Sequence, residues 1–315
     1  MEHMETDNKT TVSTFILLGF GNTPELQIPL FLVFLIIYSL TMTGNIIIIV
    51  LVITDHHLHI PMYFFLGNLS CLETFYTSTI LPRMLASFLT GDRTISFRGC
   101  YIQFYCFGIL GVAECYLLAS MSYDRYLAIC KPLHYATLMS RRLCFLLSAV
   151  TWLCGIAVMT LLMSLMSELI YCGPHEIDHF FCDFTPVINL SCSDTTLLTL
   201  VSLIVSFINI VPSFLLTVLS YICIIAAIIR IPSSDGRKKA FSTCSSHLIV
   251  VSIFYGSLMF VYVLPQKEAM REVDKMFSVF YTVLTPLINP LIYSLRNEEV
   301  KKALRRAVNK CGFSK

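Results

Sequence analysis

Residues 28–54 read IPLFLVFLIIYSLTMTGNIIIIVLVIT, a run of 27 positions without one Asp, Glu, Lys or Arg. A bilayer core about 30 Å thick is crossed by roughly 20 apolar residues in helix, because each adds about 1.5 Å. In lipid, a lone segment can satisfy its backbone N–H and C=O groups only by coiling on itself, so this stretch predicts a membrane-spanning helix. Three further windows, 143–167, 197–229 and 276–295, lack those four residue types in the same way. Another three carry a few titratable groups inside an otherwise apolar run, including Glu73 in 59–82, Glu114 in 99–123 and His247 in 240–264. The expectation is an all-α fold, a seven-transmembrane helix bundle.

Composition agrees. Of 315 residues, 56% are hydrophobic and 13% charged, and the mean hydropathy is +0.74; a soluble domain carries about 25% charged residues. A disordered chain, a collagen-like fibre and a nucleic-acid binder with a basic face are all excluded. The net charge of +2 says little, but its placement says more. Threading seven spans leaves fifteen Lys and Arg on one side, from Arg125 through Arg141 and Arg237 to Lys315, and seven on the other. The positive-inside rule then puts residues 1–27 outside and the 296–315 tail in the cytoplasm, flanking a transmembrane domain over 28–295. The opening MEHMETDNKT shows no cleavable signal pattern, so the first span is expected to act as signal anchor.

Nine of the thirteen cysteines fall in or beside spans or in the tail. The other four, Cys100, Cys172, Cys182 and Cys192, fall on the outer side, where an even number suits two disulfides of three permissible connectivities. Asn8-Lys9-Thr10 is a glycosylation sequon on that side, and Asn189-Leu190-Ser191 is a second.

Ionisable groups inside spans are costly and mark function or an internal pair. Counting down the third span from Cys100 puts Glu114 roughly 21 Å deep, near mid-membrane, and Glu73, Asn45 and Asn289 lie at comparable depth. Two carboxylates in so apolar a place cannot both stay ionised without a cation between them; either one is protonated or Glu114 and Glu73 together hold sodium. At the inner end of the same span, Asp124-Arg125-Tyr126 sets an acid beside a base, a candidate switch. In the seventh span Pro286 and Pro290 free backbone carbonyls that need partners, with Asn289 and Tyr293 close by. The following Arg296–Lys310 segment reads as a short amphipathic cytoplasmic helix with Cys311 as an acylation candidate.

Taken together these residues resemble a vertebrate odorant receptor of the rhodopsin-like G-protein-coupled class over nearly the whole chain. The motifs are Gly44-Asn45, Leu58-His59-Ile60-Pro61-Met62-Tyr63, MSYDRYLAIC over 121–130, KAFSTCSSHL over 239–248, Phe254-Tyr255-Gly256 and PLINPLIYSLRN over 286–297. Glu73 stands where the family usually has Asp, Ser122 where it has Ala and Ile60 where it has Thr. The resemblance implies disulfides Cys100–Cys182 and Cys172–Cys192. It also implies coupling and switch roles for Asp124, Arg125, Tyr126, Tyr221, His247, Tyr255, Asn289, Pro290 and Tyr293.

For a ligand, helical spacing lines up Phe104, Phe107, Gly108, Gly111 and Val112 as one apolar stripe on the outer half of the third span. The resemblance supplies the facing walls: Val205, Ser206, Asn209 and Ile210 on the fifth span, Leu258, Met259 and Tyr262 on the sixth, Val279 and Thr282 on the seventh. No charge is expected there, which favours a small, neutral, volatile odorant oriented by Ser206, Asn209, Thr282 or Tyr262. The implied partners are that odorant, membrane lipid and a stimulatory G protein that raises cyclic AMP. The implied location is the plasma membrane of olfactory cilia. A secondary transporter would show internal repeats, and an enzyme a nucleophile with a base or a metal triad; neither pattern is found. No cofactor is expected beyond the sodium ion.

Overall fold

The structure is a computed structural model and describes residues 13–21, 24–172, 175–264 and 271–312. Every window anticipated above falls on a helix, apart from residues 59–60, 167 and 264 at window ends. The first three long helices are α1 (Pro24–Thr54), α2 (Pro61–Thr90) and α3 (Phe97–Cys130). A one-turn α4 (Tyr135–Leu138) precedes α5 (Arg141–Met166), and the short α6 (Phe184–Ile188) precedes α7 (Thr196–Ile229). The sixth span is α8 (Ser234–Leu258) continued by a π-helical turn over Met259–Val263. The seventh is α9 (Arg271–Val279), a second π-turn over Phe280–Leu284, and α10 (Thr285–Arg296). The last helix is α11 (Glu298–Gly312).

Local sequence explains the ends. Ile60 is extended ahead of Pro61, which opens α2, and Gly91 closes it at φ +74°, a conformation that a Cβ would strain. Hydroxyls of Ser96, Ser140 and Ser233 accept from the backbone N–H three residues on and so cap α3, α5 and α8. Helices overrun the predicted windows because hydrogen bonding does not stop at the edge of the lipid.

Five helical stretches among the described residues are long and apolar enough to cross a membrane: α1, α3, α5, α7 and Glu272–Ile292. Their exposed faces are greasy, with Ile28 at 72% and Leu200 at 52%. Over α2 and α8 the composition is more polar, and the cause is position: α2 packs against α1, α3 and α5, and buries Ser70, Glu73 and Thr77 among them. A span shielded by its neighbours has less need of an apolar surface.

A small sheet caps one end. Strand β1 (Thr14–Leu17) lies between β2 (Thr94–Ser96), antiparallel, and β3 (Glu176–Ile177), parallel. Cys100 pairs with Cys182 (Cα–Cα 5.4 Å) and Cys172 with Cys192 (5.9 Å), the connectivity that the resemblance implied. Gln103 binds the same loop to the bundle, accepting from Cys182 N at 2.9 Å and donating to Thr79 O at 2.8 Å.

Candidate functional site: a cavity under the sheet, above a buried polar cluster

Under this cap the helices enclose a cavity of about 100 Å³. Its lining brings together Phe104, Phe107, Gly108, Gly111 and Val112 from α3, Val205, Ser206, Asn209 and Ile210 from α7, and Leu258 and Tyr262 from the sixth span. Gly111 has nothing within 4 Å of where a Cβ would stand, so its missing side chain is part of the hollow. A Cβ on Gly108 would collide with Met159. Met259, Val279 and Thr282 do not line the cavity. Thr282 Oγ1 instead donates to Ser278 O at 2.6 Å within its own helix. The physical reason is the two π-turns: each inserts an extra residue into its turn and rotates side chains away from the register that regular α-helices would give.

The expectation that no charge lines the cavity is corrected. Asp183, 4% exposed, reaches it from the loop that Cys182 anchors. Phe184 N donates to its Oδ1 at 2.7 Å, and Tyr262 Oη donates to Oδ1 at 2.9 Å and Oδ2 at 3.0 Å. Tyr262 has one hydroxyl proton, so Tyr281 donates to Tyr262 across their 2.8 Å contact. Burial pushes the Asp183 carboxyl up to about 6 despite these hydrogen bonds. Nearby, His179 is buried against Phe180 and Phe181, and burial, with Lys275 adding positive charge, pushes its imidazole down to about 3.

Most polar groups assigned to orient a ligand are already occupied. Asn209 accepts from Tyr116 Oη at 2.8 Å and donates to Val205 O at 2.6 Å, and Tyr262 is held as above. Among the described residues the lining hydroxyls that make no internal hydrogen bond are those of Ser202 and Ser206, one turn apart on α7, and of Tyr76 on α2. Sequence reasoning missed Ser202, Tyr76, Cys115, Phe184 and Tyr281, and the whole α5 wall of Val158, Met159 and Leu162. Gly108 carried the signal for that wall, since a glycine in a large apolar stripe marks a close neighbour.

Deeper in the bundle, the Asn289 side-chain amide donates to Glu73 Oε1. Asn45 Nδ2 donates to Thr41 O (3.1 Å) and to Pro286 O (3.3 Å), the carbonyl that Pro290 deprives of its helical partner. Gly44 lets α1 approach closely enough that a Cβ there would stand 2.9 Å from Pro290 Cβ. Both oxygens of Glu114, Glu73 Oε2, Asn45 Oδ1, Asn289 Oδ1 and Thr41 Oγ1 are buried without a hydrogen-bond partner. This concentration of hard oxygen donors fits a hard monovalent cation. Among the described residues no group of three or more His, Cys, Asp or Glu is arranged to hold a metal ion.

At the end of the bundle away from the sheet, Asp124 accepts from Tyr135 Oη at 2.8 Å, and no ion pair joins it to Arg125 among the described residues. The expected acid–base pair is thus replaced by a link to α4. Arg125 Nε is buried without a partner. Tyr126 and Ile129 pack with Tyr221, Ile224 and Cys244, which closes α3 against α7 and α8. Tyr221 Oη and His247 Nδ1 lie 2.6 Å apart, and Tyr255 Oη donates to Cys115 O at 2.6 Å. The side chains of Tyr293 and Cys311, and Asn8, lie outside the described residues. Helix α11 docks through Arg306, whose Nη2 is 2.7 Å from Asp55 Oδ2. Burial acts to raise the Asp55 carboxyl, but hydrogen bonds from His57 and Arg306 outweigh it and hold the group down at about 2.

Comparisons with known proteins agree on one group. The sequence model of the olfactory receptor family matches residues 34–310. Human olfactory receptor 6N1 is 48% identical, with 98% of this chain and 99% of that one covered. Mouse olfactory receptor 5AP2 is 45% identical over 97% and 96%. The fold resembles squid rhodopsin with a TM-score of 0.67 at 17% identity, covering 92% of this chain and 87% of that one. With its helical bundle, two disulfides and a cavity between the helices, the chain belongs to the olfactory receptor family, the odorant-sensing G-protein-coupled receptors, and is not an enzyme.

Proposed function

We propose that the cavity takes a small, mostly apolar, neutral volatile molecule and that its occupation drives a stimulatory G protein to raise cyclic AMP. The carrying observation is the lining itself: aromatic and aliphatic walls, with the hydroxyls of Tyr76, Ser202 and Ser206 free of internal bonds. Apolar burial supplies affinity, at about 25 cal/mol per Å², and one hydroxyl orients a carbonyl or alcohol on the ligand. Asp183 does not turn the cavity toward amines, because its carboxylate is spent on Phe184 and Tyr262.

A ligand shifts the equilibrium between two arrangements only by its different affinity for each. Tyr255 connects the cavity floor at Cys115 to α8, whose inner part holds His247 against Tyr221. Movement of α8 away from Arg125 would uncover the inner face for the G protein. Sodium held by Glu114, Glu73 and the neighbouring amide oxygens would favour the closed arrangement. In this reading residues 1–27 face outward with Asn8 glycosylated, the 296–315 tail lies at the cytoplasmic face, and the receptor works in olfactory cilia.

The test is cyclic AMP in cells expressing the receptor with an olfactory G protein, across a panel of neutral odorants, beside Arg125→Ala and Ser206→Ala. The expected result is a response that Arg125→Ala abolishes and that Ser206→Ala weakens for oxygenated ligands. A response carried by charged amines and indifferent to Ser206 would overturn the ligand class.

A further inference from the structure

A second and larger cavity, about 710 Å³, opens at the opposite end of the bundle from the sheet. It lies between the α1–α2 turn and the α4–α5 corner. Val52, Phe64, Cys144 and Phe145 form its apolar walls, and Ala136 and Arg141 stand at its rim. Phe64 and Phe145 meet edge to face, with centroids 4.9 Å apart, across the bottom of the groove. Phe145 is 63% exposed, so this apolar surface faces outward from the bundle. In a membrane-spanning chain what covers such a surface is lipid.

Charge narrows the choice of lipid. Arg141 is exposed and makes no ion pair among the described residues, and Arg142 follows it. Asp55 is engaged by His57 and Arg306, and Asp124 by Tyr135, so neither neutralises the rim. Arg141 is also the first residue of α5, where the helix dipole adds positive potential. An apolar slot ending at an unpaired guanidinium matches a molecule with a long hydrocarbon tail and an anionic head.

We propose that this groove is a binding site for an anionic phospholipid, one acyl chain lying along Val52, Phe64, Cys144 and Phe145, and the phosphate meeting Arg141. Arg suits this role better than Lys because its planar fork donates two parallel hydrogen bonds to phosphate. The site requires only that this end of the bundle meet a bilayer surface, so it stands apart from the odorant and G-protein reading and can fail or survive independently.

The experiment uses the full-length receptor in phosphatidylcholine nanodiscs, with a trace of phosphatidylserine bearing a diazirine on its acyl chain, or of the same probe built on phosphatidylcholine. Labelled peptides are mapped by mass spectrometry. The serine lipid should label residues 60–64 and 139–145 about fivefold more than the choline lipid, as one arginine near an anionic head implies. Arg141→Ala, a surface change, should bring that ratio close to one. Ala136→Trp should reduce labelling by both probes in the groove and leave labelling along the lipid face of α7 unaltered. Equal labelling by the two probes in the unmodified receptor, or a preference that survives Arg141→Ala, would overturn the proposal by showing a general lipid-facing surface. Competition by millimolar inorganic phosphate would overturn it too, since a free anion would then suffice.

Discussion

Asp183 and Glu114 are both buried carboxylates, 4% and 0% exposed, and the protein treats them in opposite ways. Asp183, under the outer cap, has a backbone N–H and a tyrosine hydroxyl donating to it, with a second tyrosine behind the first. Glu114, at mid-bundle, has no donor for either oxygen, and the nearby oxygens of Glu73, Asn45 and Asn289 face the same shortage. Burying a charge with donors fixes a geometry; burying one without them makes a site whose state depends on protons or ions. The cap is therefore the settled part of the receptor, and the middle of the bundle is the part built to change.

The largest expected effect tests the settled half. Tyr262→Phe removes the one side-chain donor to Asp183 and should lower stability by about 1–3 kcal/mol, read as a fall in the melting temperature of detergent-solubilised receptor. A loss below about 0.5 kcal/mol would mean that the contrast is false, because that is the scale of an ordinary surface change.

Glu114→Leu should act with the opposite sign. Removing an undonated buried carboxyl should raise stability by roughly 1 kcal/mol in choline chloride. Replacing choline with sodium should shrink that gain if the proposed cation binds, since binding would stabilise the unmodified receptor by mass action. Destabilisation in choline chloride would show that Glu114 has donors after all.

A smaller effect separates the two titrating groups within the cap. Burial raises Asp183 to about 6, so its contribution is present in acid and lost as pH rises through 6. His179 is held down to about 3, so its contribution is present above the ordinary imidazole range and lost as pH falls. Between pH 7 and 5.5 each amounts to roughly 1 kcal/mol, with opposite signs. The unmodified receptor should melt at nearly the same temperature at both pH values. His179→Phe should melt higher at pH 5.5 than at 7, and Asp183→Asn lower. Two variants that both track the unmodified protein would remove the cap from the comparison.

How far these regions were legible in the sequence follows from the range of the interactions. Helices α1, α5 and α7 declare themselves in charge-free runs, because crossing lipid is a local requirement. The α3 wall could be read from spacing, since neighbours on one helix face are fixed by its pitch, whereas the α7 wall came from the family resemblance. The α5 wall could not: Val158 and Leu162 look like any lipid-facing residue until α3 is placed against them. Asp183 was hidden for a related reason, since long-range contacts, the Cys100–Cys182 link and the Gln103 hydrogen bond among them, bring its loop over the cavity. Met259 and Thr282 were misplaced by π-turns, which follow from tertiary packing and leave no signature in composition.

Strand β1 is synthesised before the first span, yet one of its partners, β3, is about 160 residues further along the chain. The ribosome must deliver all of α1 to α5 before Leu17 can meet Ile177. Closure of the cap over the cavity thus waits until the chain is past its midpoint, and a chain halted earlier presents β1 with an unpaired edge. Quality control at the membrane could read that bare edge as the mark of an unfinished receptor.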